Sequence, residues 1–123
     1  MPRVNQINAG PYTALSGSIT IDLWGNDALS DLFGSNDVGK ILTFRAAMTA
    51  TGALTGTVSL YQGSLIGSAV VYDSAPCGGI DLAGTGAAAD SVTFDAVGSR
   101  FWRVAWTMTG TDATIAISAE AAE

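Results

Sequence analysis

The chain contains no histidine and a single cysteine, Cys77. Histidine is the side chain that titrates near neutral pH, so its absence removes the usual proton shuttle and the commonest metal ligand. One thiol closes no internal disulfide and holds no metal alone. This cysteine usage fits a reducing cytosol, or a particle assembled in one. Charge is scarce too: Asp, Glu, Lys and Arg together make up 13% of the 123 residues, about half the usual share. The five cations, Arg3, Lys40, Arg45, Arg100 and Arg103, are scattered, and the formal net charge is −6. Binding a phosphate backbone needs clustered cations, so nucleic acid is not expected as a partner. No apolar run approaches the ~18 residues that span a bilayer, so no membrane partner is expected either. No charged segment followed by an apolar stretch opens the chain, so no signal peptide is expected.

These absences bear directly on catalysis. A nucleophilic Ser or Cys needs a neighbouring base, and without histidine only carboxylates and Lys40 remain. No G-x-S-x-G sequence marks a nucleophile elbow. Cys77 lies between Pro76 and the pair Gly78 and Gly79, where a small turn residue is the simpler reading than a reactive thiol. Paired carboxylates hydrolyse glycosides without histidine. Here Glu120 and Glu123 lie at the C-terminus, and Asp73, Asp90, Asp95 and Asp112 sit where turns are expected. Asn26, Asp27, Asp31, Asn36 and Asp37 offer oxygen ligands of the kind calcium takes, but their spacing is not that of an EF-hand loop. The expectation is a protein without enzymatic activity, cofactor or metal.

What is present is a small-residue β pattern. Nearly half of the residues are Ala, Gly, Ser or Thr, and 48% are hydrophobic. A chain of this mass folds to roughly 6,200 Å² of surface from about 18,000 Å², so one domain with a real core is expected. Alternation of period two recurs along the chain. Ile19, Ile21 and Leu23 alternate with Ser18, Thr20 and Asp22. Leu42, Phe44, Ala46 and Met48 share one phase, and Val58 and Leu60 another, with Thr57, Ser59 and Tyr61 opposite. Val92 pairs with Phe94, then Trp102, Val104, Trp106 and Met108 fall in phase, then Ile115 and Ile117.

Strands are therefore predicted over 18–24, 41–50, 54–62, 65–72, 91–96, 100–109 and 114–119. Turns at 51–53 and 108–113 predict two hairpins, and 62–64 predicts a third reversal. The fold class expected is all-β: an antiparallel β-sandwich or jelly roll of about 7–8 short strands. At most one short helix is expected near residues 27–33, within NDALSDLFG (26–34).

The stretch 74–90, rich in Gly and Ala, reads as a long connection, with Ile80 and Leu82 in a brief edge strand inside it. Residues 1–17 read as an irregular N-terminal arm, 18–119 as one β-sandwich domain and 120–123 as a C-terminal tail. Long loops and arms are where contacts with partners concentrate. The interface candidates are accordingly Val4, Ile7, Tyr12 and Leu15 on the arm, Tyr61 on a strand, and Ile80 and Leu82 in the long connection.

The segments TVSLYQGS (57–64), FWRVAWT (101–107) and GTDATIAI (110–117) resemble those of small tailed-bacteriophage virion proteins. The likeness is to the decoration, or cement, proteins of the capsid, and it covers about 41–119. It lies in texture rather than in a motif, so no functional residue is carried over. The resemblance implies a structural protein of the virion, assembled in the host cytoplasm. It implies a homotrimer or other homo-oligomer that contacts the major capsid or another virion protein. The alternative is a carbohydrate-binding or host-attachment module that uses Tyr12, Trp24 or Tyr61.

Overall fold

Alternating apolar and polar residues give six antiparallel strands in the computed structural model, which describes residues 4–22, 41–95 and 101–122. They are β1 (Val4–Tyr12), β2 (Ser16–Asp22), β3 (Ile41–Ile66), β4 (Ala69–Tyr72), β5 (Gly78–Phe94) and β6 (Phe101–Ala122). Among the described residues there is no helix. The segment 27–33 lies outside them.

The organising element is a pair of very long strands. β3 has 26 residues and β6 has 22. They run antiparallel from Ile41 opposite Ala122 to Gly63 opposite Phe101. β5 lines the other edge of β3 from Leu42 opposite Phe94 to Leu60 opposite Gly78. β1 and β2 divide the far edge of β6: β1 takes the end near Ala122 and β2 the end near Phe101.

This ribbon folds over at one corner. The β3–β6 register shifts between Thr49 and Thr55, and the β3–β5 register shifts between Thr49 and Ala53. Gly52 and Gly86 have φ of +85° and +80° there, a conformation glycine adopts without steric penalty. Asp112 takes φ of 53° on β6 at the same level. Beyond the edge of β6, residues 13–15 carry the chain from β1 to β2 across this corner, where the Met108 N–H donates to the Leu15 carbonyl at 2.8 Å. The first sheet therefore holds β1, the second half of β6, the first half of β3 and the second half of β5. The second sheet holds β2 and the complementary halves, with β4 added at its end.

The two halves close on one apolar cluster. Leu42, Phe44 and Met48 come from the first sheet, and Val58, Leu60, Trp102 and Val104 from the second, all essentially sealed from water. The closure is direct: Phe44 lies 5.2 Å from Trp102 between ring centroids, and Phe94 lies 5.2 Å from the same indole. Each such fully buried side chain contributes about 1.5–3 kcal/mol. The total exposed area is 6366 Å², close to the roughly 6,200 Å² expected for one compact domain of this mass.

The all-β antiparallel class and the inward phases read from the sequence stand. The strand inventory does not: long bent strands replace several short ones. Neither 51–53 nor 108–113 is a hairpin, because β3 and β6 pass through these points and pair with each other instead. Glycine satisfies a bend and a reversal equally well, so the local signal is the same. The reversal expected at 62–64 is displaced to Gly67 and Ser68, between Ile66 and its partner Ala69. Most of the expected connection 74–90 is strand β5, which leaves only 73–77 irregular. Residues 4–12, expected in an irregular arm, form β1 along β6.

Candidate interaction surface

The outer faces of the two sheets are paved with small polar side chains. Thr43 and Thr93 bond across strands at 2.9 Å, Thr49 and Thr114 at 2.7 Å, and Thr55 and Thr109 at 2.6 Å. On the outer face of the first sheet, Asn8, Gly10, Arg45, Ala47, Ala116 and Ser118 line a shallow trough of about 300 Å³. Its floor is small residues because Ala47 and Ala116 are register partners on β3 and β6. Arg45 at its rim reaches the Glu120 carboxylate at 3.9 Å, an exposed pair worth about 0–1 kcal/mol. The lining holds no nucleophile with an adjacent base.

The outer face of the second sheet is chemically richer. Arg103 on β6 and Tyr61 on β3 are register partners, and the guanidinium carbon sits 4.4 Å from the Tyr61 ring centroid. Tyr72 reaches the same guanidinium from β4 at 5.5 Å. Gly63 makes this possible. It is opposite both Phe101 and Tyr72, and a Cβ there would lie 2.7 Å from the Tyr72 ring. Arg103 is half-buried, and its Nε is buried without a hydrogen-bond partner. Beside it the β3–β4 hairpin projects past the start of β6 and leaves Leu65, Ile66 and Val71 exposed at 53%, 65% and 47%.

The expected site residues fall in several places. Val4 and Ile7 are in β1, opposite Ala122 and Ala119. Tyr12 stacks on Trp106 and is half-buried, so its ring packs largely within the chain. Leu15 is 56% exposed at the corner. Tyr61 is half-exposed beside Arg103. Ile80 and Leu82 are corrections: each is 3% exposed and belongs to the core, because β5 pairs with β3 and turns both inward. Trp24 lies outside the described residues, as do Asn26, Asp27, Asp31, Asn36 and Asp37. Arg103 and Tyr72 were not singled out by sequence. The phase of Arg103, opposite to Trp102 and Val104, was legible; the register that brings Arg103 and Tyr72 to Tyr61 was not.

Cys77 is exposed, and its thiol donates to the Leu60 carbonyl at 3.4 Å. Desolvation pushes the thiol pKa up, its own backbone N–H opposes this, and Asp73 adds to the rise. The group thus stays protonated near neutrality and is a poor nucleophile. Among the described residues no cluster of three or more Cys, Asp or Glu is placed to hold a metal.

No family model matches the sequence, and no curated protein matches it. Solved structures do. The coat protein of Tobacco streak virus is similar over 99% of this chain and 85% of its own, at 12% identity and a TM-score of 0.51. The empty head of Turnip yellow mosaic virus gives 9% identity over 99% of this chain and 79% of its own, with a TM-score of 0.48. The mitogen of Yersinia pseudotuberculosis gives 11% identity over 98% and 86%, with a TM-score of 0.46. What the coat protein shares with this chain is the fold: an antiparallel jelly-roll sandwich.

Proposed function

We propose that this chain is a non-enzymatic structural protein of a virion that works by contact with copies of itself and with other shell proteins. The observation that carries the reading is the shared fold with the Tobacco streak virus coat protein over nearly the whole chain. The surface supports it. Cross-strand threonine pairs on the outer faces, an exposed apolar hairpin and few charges suit packing into a lattice. Fold alone does not assign function, so the surface chemistry is the second leg of the case. Within this reading the finer role is decoration or cementing of a bacteriophage capsid as a homotrimer or other homo-oligomer.

The test is the composition of purified particles. Virions from the source, banded on a density gradient and analysed by mass spectrometry, are expected to carry this chain at a fixed copy number relative to the major shell protein. Its absence from banded particles sinks the proposal.

The half-exposed Tyr61 beside Arg103 supports a second reading, a glycan-binding or host-attachment module. That reading predicts saturable binding on a glycan array that is lost in Tyr61→Ala.

A further inference from the structure

We propose that Arg103, in contact with the rings of Tyr61 and Tyr72, is a carboxylate-binding site through which a second copy of this chain docks. The inference rests on the structural-protein reading for the identity of the partner and names the surface that reading leaves open.

Three observations converge on it. First, the described contacts of the Arg103 guanidinium are with aromatic rings, and its buried Nε has no hydrogen-bond partner. The ion pair printed among the described residues is Arg45 with Glu120 on the first sheet. Second, Arg103 is positioned before any partner arrives. Its carbon lies 4.4 Å from one tyrosine ring and 5.5 Å from the other, and its Nε is already shielded from water without a partner. Contact with two rings lowers the cost of fixing a long side chain. A planar guanidinium matches a carboxylate in two-pronged geometry, which an ammonium cannot do. Third, the surroundings have the composition of an interface centre. Tyr61, Tyr72 and Leu65 share the outer face with Arg103, and tyrosine and arginine are the residues that dominate binding hot spots.

Charge complementarity points to a second copy. The chain carries eleven Asp and Glu against five Lys and Arg. Asp81, Asp90, Asp95 and Asp112 are exposed on β5, just after it and at the corner. Each copy therefore brings one pre-set cationic socket and a surplus of carboxylates. Such a head-to-tail contact leaves a free socket on one copy and free acids on the other, which is how lattices grow.

The experiment is sedimentation velocity on wild type, Arg103→Ala and Arg103→Lys over a concentration series, with thermal melts to establish that each variant folds. Wild type is expected to gain mass with concentration, less so at high salt. Arg103→Ala is expected to weaken association by at least about thirtyfold, and Arg103→Lys by an intermediate factor. If Arg103→Ala does not fold, the weaker association of Arg103→Lys carries the test. Wild type that stays at the mass of one chain throughout overturns the inference. So do variants that associate like wild type, and so does a glycan ligand that needs Arg103 in a monomeric protein. A monomer still found in banded particles overturns this inference alone and leaves the virion reading standing.

Discussion

The ring of Tyr12 lies on the indole of Trp106, with centroids 4.8 Å apart and planes 22° from parallel. The indole Nε1–H donates to the Ala14 carbonyl at 3.0 Å, so one side chain of β6 holds both β1 and the link to β2. Trp106 is 4% exposed, and Trp106→Ala is expected to cost about 3–5 kcal/mol in urea unfolding. Trp106→Phe keeps most of the apolar contact but loses the donor, and about 1 kcal/mol is expected from that loss. A Phe variant as damaged as the Ala variant would show that the hydrogen bond, not the stack, dominates.

The same indole sets the residue beneath it. A Cβ on Gly17 would lie 2.6 Å from a ring carbon of Trp106, its register partner on β6. The ring is fixed by Tyr12 and Ala14 and has little room to retreat. Gly17→Ala is expected to destabilise by about 1–3 kcal/mol through overpacking. A melting temperature equal to wild type would mean that the indole shifts freely.

The corner makes a different demand. Gly52 and Gly86 have open space around them, so a side chain there meets no neighbour. Their positive φ alone opposes substitution. Gly52→Ala and Gly86→Ala are each expected to cost about 1–2 kcal/mol, and a β-branched residue more. Equilibrium unfolding in guanidinium checks this, with Gly79 as a contrast. A Cβ there meets the Val58 carbonyl at 2.8 Å in an ordinary extended backbone, so its cost is a clash rather than strain.

Cys77 offers a readout in pH. Desolvation raises its thiol pKa, so iodoacetamide is expected to label the native protein more slowly than the unfolded chain at mildly alkaline pH. The sign for stability follows. The unfolded thiol ionises first as pH rises, so the Cys77 contribution is present at neutral pH and is lost as pH climbs through the alkaline range. Cys77→Ser, which does not ionise there, is expected to show a flatter decline in stability on the alkaline side.

Much of this was legible in the chain. Phase alone placed Phe44, Val58, Trp102 and Ile115 inward, because side chains on a strand alternate faces whatever the strand pairs with. The lack of histidine bounded the chemistry before any geometry was known. Pairing was not legible. Gly52 and Gly110 look like hairpin turns in sequence, yet the strands they interrupt find partners far along the chain: Met48 faces Ile115 and Val58 faces Trp106. Ile80 and Leu82 sit among glycines and alanines, so their burial depended on β3 being there to cover them.

The candidate site divides the same way. Tyr61 was marked by its outward phase, whereas Arg103 and Tyr72 gained meaning only from a register that sets one opposite Tyr61 and the other opposite Gly63. Composition and period are local properties of the chain, and by themselves they determined an all-β, small-residue, histidine-free protein with a defined inward face. Register and the fold-over of the ribbon are long-range choices. They are decided by which inward faces bury each other best, and that is settled only when Phe44 and Phe94 close on Trp102.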